Sequence, residues 1–189
     1  DPDRPDHRRP GLGMMIERRA AVLAVRAAGR RLVGHAATFG AEARIGDFVE
    51  TIAAGAFAES LAGGGDKLAL VDHDPGRVLA RTRSGTLRLS EDARGLAFDI
   101  DVPDTQAGHD VLELAKRGDV GGMSFGFHVP KGGEAWSGDR RELRAIDLRE
   151  ISVVLAWPAY PDTTIAVRNR PVIEAPDAGL RRALLRWRA

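Results

Sequence analysis

Gly121-Gly122-Met123-Ser124-Phe125-Gly126-Phe127-His128-Val129-Pro130 is the stretch whose reading decides the fold of this 189-residue chain. Gly122 to Gly126 satisfy the pattern G-x-S-x-G, which in one widespread α/β architecture marks a serine held on a sharp turn between a strand and a helix. The surroundings do not suit that architecture. After Ser124, the large apolar residues Phe125, Phe127 and Val129 alternate with smaller or polar ones and Pro130 closes the run, which is the period of a strand. No histidine follows His128, whereas that architecture needs its histidine last in chain order. Ser124 is therefore predicted to lie in or beside a β-strand.

Working outward, most of the chain has the same short-strand character. Ala20 to Thr38 holds two apolar runs around Ala27-Ala28-Gly29-Arg30, which predicts a hairpin, and Phe48-Val49-Glu50-Thr51-Ile52 predicts another strand. Gly55-Ala56-Phe57-Ala58-Glu59-Ser60-Leu61 has helical spacing and stops at Gly63-Gly64-Gly65. Lys67-Leu68-Ala69-Leu70-Val71 is a strand that delivers His73 to its end, just before the breaker Pro75-Gly76. Three short β runs follow, residues 77–81, 86–89 and 96–102, and are read as a meander turning at Ser84-Gly85 and Arg94-Gly95. Asp104-Thr105 offers a cap to a helix carrying Val111, Leu112, Leu114 and Ala115, ended by Gly118. Beyond Ser124, residues 132–138 read as a flexible glycine-rich tip, and residues 141–156 as the last long β region. The fold class expected is mainly β with a few helices, α+β.

Three segments are expected: a disordered leader over residues 1–13, where charge and proline run without periodicity; a folded domain over 14–170; and a tail over 171–189. In the tail, Leu180, Ala183, Leu184 and Trp187 are spaced as a short helix. The 28 Lys and Arg against 27 Asp and Glu leave a net charge of +1, too little field for a nucleic-acid binder. The absence of cysteine removes thiol nucleophiles, disulfides and thiolate metal sites. No apolar run approaches the roughly 20 residues of a membrane span, so no membrane partner is expected and the protein is expected to be soluble and unexported.

A serine hydroxyl needs an imidazole within reach to become a nucleophile, and five histidines compete. His7 lies in the leader, His35 and His109 lie on a strand and a helix, and His128 is close to Ser124 in sequence. His73 is best placed, at the end of an apolar strand. Asp72 and Asp74 flank it but, as chain neighbours, point away from its face. A carboxylate from elsewhere should orient the ring. Glu150, at the mouth of Ile151-Ser152-Val153-Val154-Leu155-Ala156-Trp157, is the first candidate, with Asp147 and His128 behind it. His73-Asp74 and His109-Asp110 are also hard metal ligands, but no third and fourth ligand stands at a recognised spacing, so neither a metal nor any other cofactor is expected.

These residues resemble those of the phage prohead proteases, the serine peptidases of phage head maturation. The resemblance is carried by Gly34-His35-Ala36-Ala37-Thr38-Phe39, by residues 50–57, by His73-Asp74-Pro75, by Ser84-Gly85-Thr86-Leu87-Arg88-Leu89 and by residues 117–127. It ends in Glu150-Ile151-Ser152-Val153-Val154 and Pro158-Ala159-Tyr160-Pro161-Asp162-Thr163, so it spans most of the chain in one order. Ala54 and Ala80 depart from it, at positions where proline and glycine are common in the family. The resemblance implies an assemblin-like fold, an antiparallel β-barrel surrounded by short helices as in the herpesvirus assemblins. It implies Ser124 as nucleophile, His73 as base and Glu150 as third member, where the assemblins use a second histidine. It further implies the major capsid protein and its scaffold segment as partners, self-association and self-cleavage, and action inside immature capsids in the bacterial host cytoplasm. A catalytically silent assembly or scaffold protein of the same fold is the alternative.

Overall fold

The computed structural model describes residues 16–21 and 25–156. The expected leader and C-terminal helix lie outside the described residues. Within them, thirteen strands and two helices build three sheets, so the mainly-β expectation agrees with the architecture.

The first sheet has the order β1-β10-β13-β6-β7: β1 Glu17–Ala21, β10 Gly122–His128, β13 Asp147–Val154, β6 Leu68–Val71 and β7 Asp74–Arg81. The second, β2-β3-β9-β8, comprises β2 Val25–Ala28, β3 Arg31–Thr38, β9 Gly95–Asp101 and β8 Leu87–Glu91. The third, β11-β12-β5-β4, comprises β11 Glu134–Ser137, β12 Arg140–Leu143, β5 Phe48–Ile52 and β4 Ala43–Ile45. The helices are α1 Ala58–Ala62 and α2 Gln106–Arg117. Thr105 caps α2, its hydroxyl accepting the Gly108 N–H, and Gly118 ends it in the left-handed conformation at φ 77°.

One core joins these layers. Met123, Phe125 and Phe127 of β10, Ile151 and Val153 of β13, and Ala69 and Val71 of β6 share it with Leu32, Leu96, Phe98 and Ile100 of the second sheet and Val111 and Leu112 of α2. Phe125 stands edge-on to Phe57 at 5.7 Å and stacks on Phe127 at 5.2 Å. With the odd-numbered residues of β10 committed to the core, Gly122, Ser124 and Gly126 lie on the opposite face of the sheet.

Four expectations need correction. First, the chain does not break at Pro75-Gly76. It reverses at Asp72 and His73, both with positive φ (50° and 61°), between the paired residues Val71 and Asp74. Pro75 then lies within β7, which is tolerable because β7 is an edge strand and owes no N–H to a second neighbour. Second, residues 77–102 are not one meander. β7 pairs with β6, whereas β8 pairs with β9 in another sheet, because Leu87 packs into the core beneath Phe98 and Ile100. Third, the glycine-rich tip is a hairpin, β11 and β12, where Trp136 packs edge-on to Phe48 at 5.0 Å beneath the Arg141 guanidinium. Fourth, the described strands form three open sheets instead of a closed antiparallel barrel, since each sheet ends in strands paired on one side only and β13–β6 and β12–β5 run parallel.

Candidate active site

The site is built on three adjacent strands of the first sheet. β10 and β13 pair antiparallel, with Ser124 opposite Ser152 and Gly126 opposite Glu150. Beyond Gly126 the register slips, Phe127 pairing with Leu148, so that Arg149 is an extra residue on β13. This bulge lets both Leu148 and Ile151 face the core while Glu150 and Ser152 share the opposite face with Ser124. A side chain at Gly126 has no room: a Cβ there would sit 2.3 Å from Oε1 of Glu150. The carboxylate thus lies over Gly126, two residue pairs along the ladder from Ser124.

His73 arrives from β6, the parallel neighbour of β13. A two-residue hairpin loop with positive φ at both positions is a type I′ turn, a geometry that Asn-Gly or Asp-Gly normally supplies. Here it is Asp-His. Asp72 docks this turn on the end of β13, its N–H donating to the Val153 carbonyl at 3.0 Å and its carboxylate accepting the Leu155 N–H at 2.9 Å. Asp74 accepts the Gly76 N–H at 2.8 Å. Neither flanking carboxylate orients the imidazole, as expected of neighbours along the chain.

The ring instead meets Glu150. Nδ1 of His73 and Oε1 of Glu150 are 2.7 Å apart, with the His73 side chain 19% and the Glu150 side chain 8% exposed. A bond from Nδ1 leaves Nε2 as the ring atom for a reacting hydroxyl. The second carboxylate oxygen, Oε2, accepts the hydroxyl of Ser152 at 2.6 Å. Nε of Arg18, on β1, lies 3.9 Å from Oε1. Ser124 is 1% exposed, and its hydroxyl donates to the backbone carbonyl of Arg19 at 2.7 Å. The structure therefore brings His73 and Glu150 into contact and sets Ser124 on the same face of the sheet, with its hydroxyl turned to β1.

The other candidates are occupied elsewhere. Asp147 pairs with Arg149 at 3.4 Å and lies opposite His128 at the far end of the ladder. His35 and His109 sit 2.7 Å from Asp92 and 2.6 Å from Asp104, and their hydrogen bonds hold those carboxyls below the ordinary range. No group of metal-ligating side chains occurs among the described residues, and no described helix is long and apolar enough to cross a membrane. Gly121 fits tightly against the chain: a Cβ there would be 2.0 Å from the Ala156 carbonyl oxygen.

Sequence reasoning passed over Ser152, Gly126 and Arg18. For the first two a signal was present, since residues two apart on a strand share a face, which links Ser152 to Glu150 and Gly126 to Ser124. Arg18 could be found only from the pairing of β1 with β10, where it opposes Gly126.

A family model described as Caudovirus prohead serine protease matches residues 18–177. The chain belongs to this family. No curated protein and no solved structure matches it. Membership in the prohead serine proteases makes capsid maturation the setting of the domain. The match covers all three strands of the site and the hairpin that carries His73.

Proposed function

We propose that the chain is an active serine endopeptidase that cleaves the scaffold segment of the major capsid protein, and its own termini, inside the prohead. Ser124 is the nucleophile, His73 the general base and Glu150 the acid that orients the ring. The observation that carries this reading is the 2.7 Å contact between Nδ1 of His73 and Oε1 of Glu150, on the sheet face that Ser124 occupies. A base needs an orienting partner on one nitrogen and a free second nitrogen, and this pair supplies both.

In the proposed reaction the Ser124 hydroxyl turns from the Arg19 carbonyl to Nε2 of His73 and attacks the scissile carbonyl carbon, its proton passing to Nε2. Glu150 stabilises the imidazolium. Collapse of the tetrahedral adduct gives that proton to the leaving amine, and water, activated by the same nitrogen, hydrolyses the acyl-enzyme. Hydrogen bonds at such sites are often realigned when substrate binds, so the resting bond to Arg19 is compatible with this role. On the resemblance to the herpesvirus assemblins, Glu150 would take the place of their second histidine.

The alternative is a silent assembly protein that binds capsid subunits without cutting them. The burial of Ser124 and its bond to a backbone carbonyl favour it. Co-expression with the neighbouring major capsid protein separates the two readings. We expect intact mass measurement to show capsid protein shortened by the wild type and full length with Ser124→Ala; full-length protein in both would establish the silent role.

A further inference from the structure

We infer that Ser152 is a positioning residue of the site: its hydroxyl fixes the plane of the Glu150 carboxylate and, through it, the ring of His73. The inference rests on the reading of His73 and Glu150 given above and extends it to a residue in no contact with substrate.

Ser152 sits in the middle strand of the site, opposite Ser124 on one side and Leu70 on the other, and is fully buried. Its flanking residues Ile151 and Val153 belong to the core. A hydroxyl at such a place carries a desolvation penalty unless it is bonded, and alanine would fill the space at no such cost. The hydroxyl is bonded, donating to Oε2 of Glu150 at 2.6 Å. Oε1 meets His73. A carboxylate held through one oxygen can pivot about its last carbon–carbon bond and carry the imidazole with it. Held through both, with Gly126 beneath it leaving no slack, it has one orientation. The charged groups that meet it are Arg18 from β1 at 3.9 Å and His73; Asp72 and Asp74, on either side of His73, accept from the Leu155 and Gly76 N–H groups instead, β10 sets Gly126 opposite Glu150, and β6 sets Leu68 there.

The test uses the full chain and a fluorophosphonate probe, so that no peptide substrate is required. An Oγ–P bond forms as the P–F bond breaks, fluoride leaving and the serine proton passing to His73. In the wild type the label is expected on Ser124. Ser152→Ala should label roughly 10- to 100-fold more slowly, the loss seen when the outer partner of an orienting group is removed at metal sites. Ser152→Thr, which keeps the hydroxyl, should recover most of the rate.

The pH profile separates positioning from mere packing. Without its donor the buried carboxylate is less stabilised in its charged form and draws harder on the imidazolium, so the acid limb of the rate should move to higher pH in Ser152→Ala. A packing defect would lower the plateau and leave the limb in place, which would overturn the inference. Equal rates for Ser152→Ala and wild type would overturn it as well, as would a Thr variant as slow as Ala. Should Ser152→Ala not fold, Ser152→Cys, similar in volume and a weaker donor, must fall between wild type and the Glu150→Gln variant; a rate equal to wild type sinks the idea. A wild type that takes no label on Ser124, or takes it on Ser152, overturns the assignment of the nucleophile and this inference with it, a result distinct from every one above.

Discussion

Gly126 has no side chain because the Glu150 carboxylate occupies the space where one would be. The obstruction is the end of a flexible side chain and not the backbone, so Gly126→Ala should fold and displace the carboxylate from His73. Misplacing a catalytic group by about 1 Å can cost on the order of 100-fold in rate, and we expect cleavage of capsid protein to fall by at least that much while the thermal midpoint changes little. A variant that cuts at the wild-type rate would remove Glu150 from the mechanism. At this scale the sequence was informative about strand context and silent about contact. That Ser124 lies in a strand and His73 at the end of one was legible, whereas the 2.7 Å meeting of His73 and Glu150, 77 positions apart, depends on the parallel pairing of β6 with β13.

The hairpin between β6 and β7 holds His73 by a strained turn. Asp72 and His73 both take left-handed backbone angles, which side-chain-bearing residues adopt at a cost of roughly 1–2 kcal/mol each. His73→Gly removes that cost and His73→Ala keeps it, while both lose the contact with Glu150. The glycine variant should therefore be more stable than the alanine variant by about 1 kcal/mol in denaturant unfolding, with both inactive in cleavage. Equal stabilities would mean that the turn relaxes freely. The sequence reading put the reversal three residues too late, at Pro75-Gly76, because proline and glycine are the strongest turn signals and Asp-His is a weak one. The β11–β12 hairpin was missed for a related reason: its glycines outweighed Trp136, whose packing on Phe48 is tertiary. Strands with strong alternation, such as Gly95–Asp101, where Leu96, Phe98 and Ile100 alternate with Ala97, Asp99 and Asp101, were legible because their period is local.

Across the whole molecule, β1 is bound to the third sheet by a buried ionic cluster that no local pattern announces. Arg19 grips Glu50 through two bonds of 2.6 and 2.8 Å, and Arg141 bridges Glu50 at 2.9 Å and Glu17 at 2.7 Å while also pairing with Glu134. Burial works against the charge of Arg141, but the surrounding carboxylates outweigh it and raise its proton affinity. Among the described residues, Arg141→Met leaves Arg19 as the one cation facing Glu17 and the buried Glu50 and should cost about 3–5 kcal/mol of unfolding free energy. Burial also works to raise the pKa of Glu17, yet Arg141 and Arg19 hold it below its ordinary 4.5. A carboxylate with a depressed folded-state pKa stabilises fully above its unfolded value and loses that contribution as pH falls through the folded one. Stability should therefore decline as the pH drops below about 4.5, and Glu17→Gln should flatten that decline; an unchanged acid limb would show that the cluster does not govern it. The same cluster bears on how a peptide can approach. With β1 pinned along one side of β10 and β13 along the other, both hydrogen-bonding margins of the strand that carries Ser124 are taken. A peptide reaching Ser124 while β1 stays paired cannot join β10 as an added strand and has to lie across the face of the sheet, over Ala20 and Gly122. If the chain cleaves as proposed, selection of a cleavage site falls to the fit of side chains against a floor of small residues, with little help from the main-chain ladder.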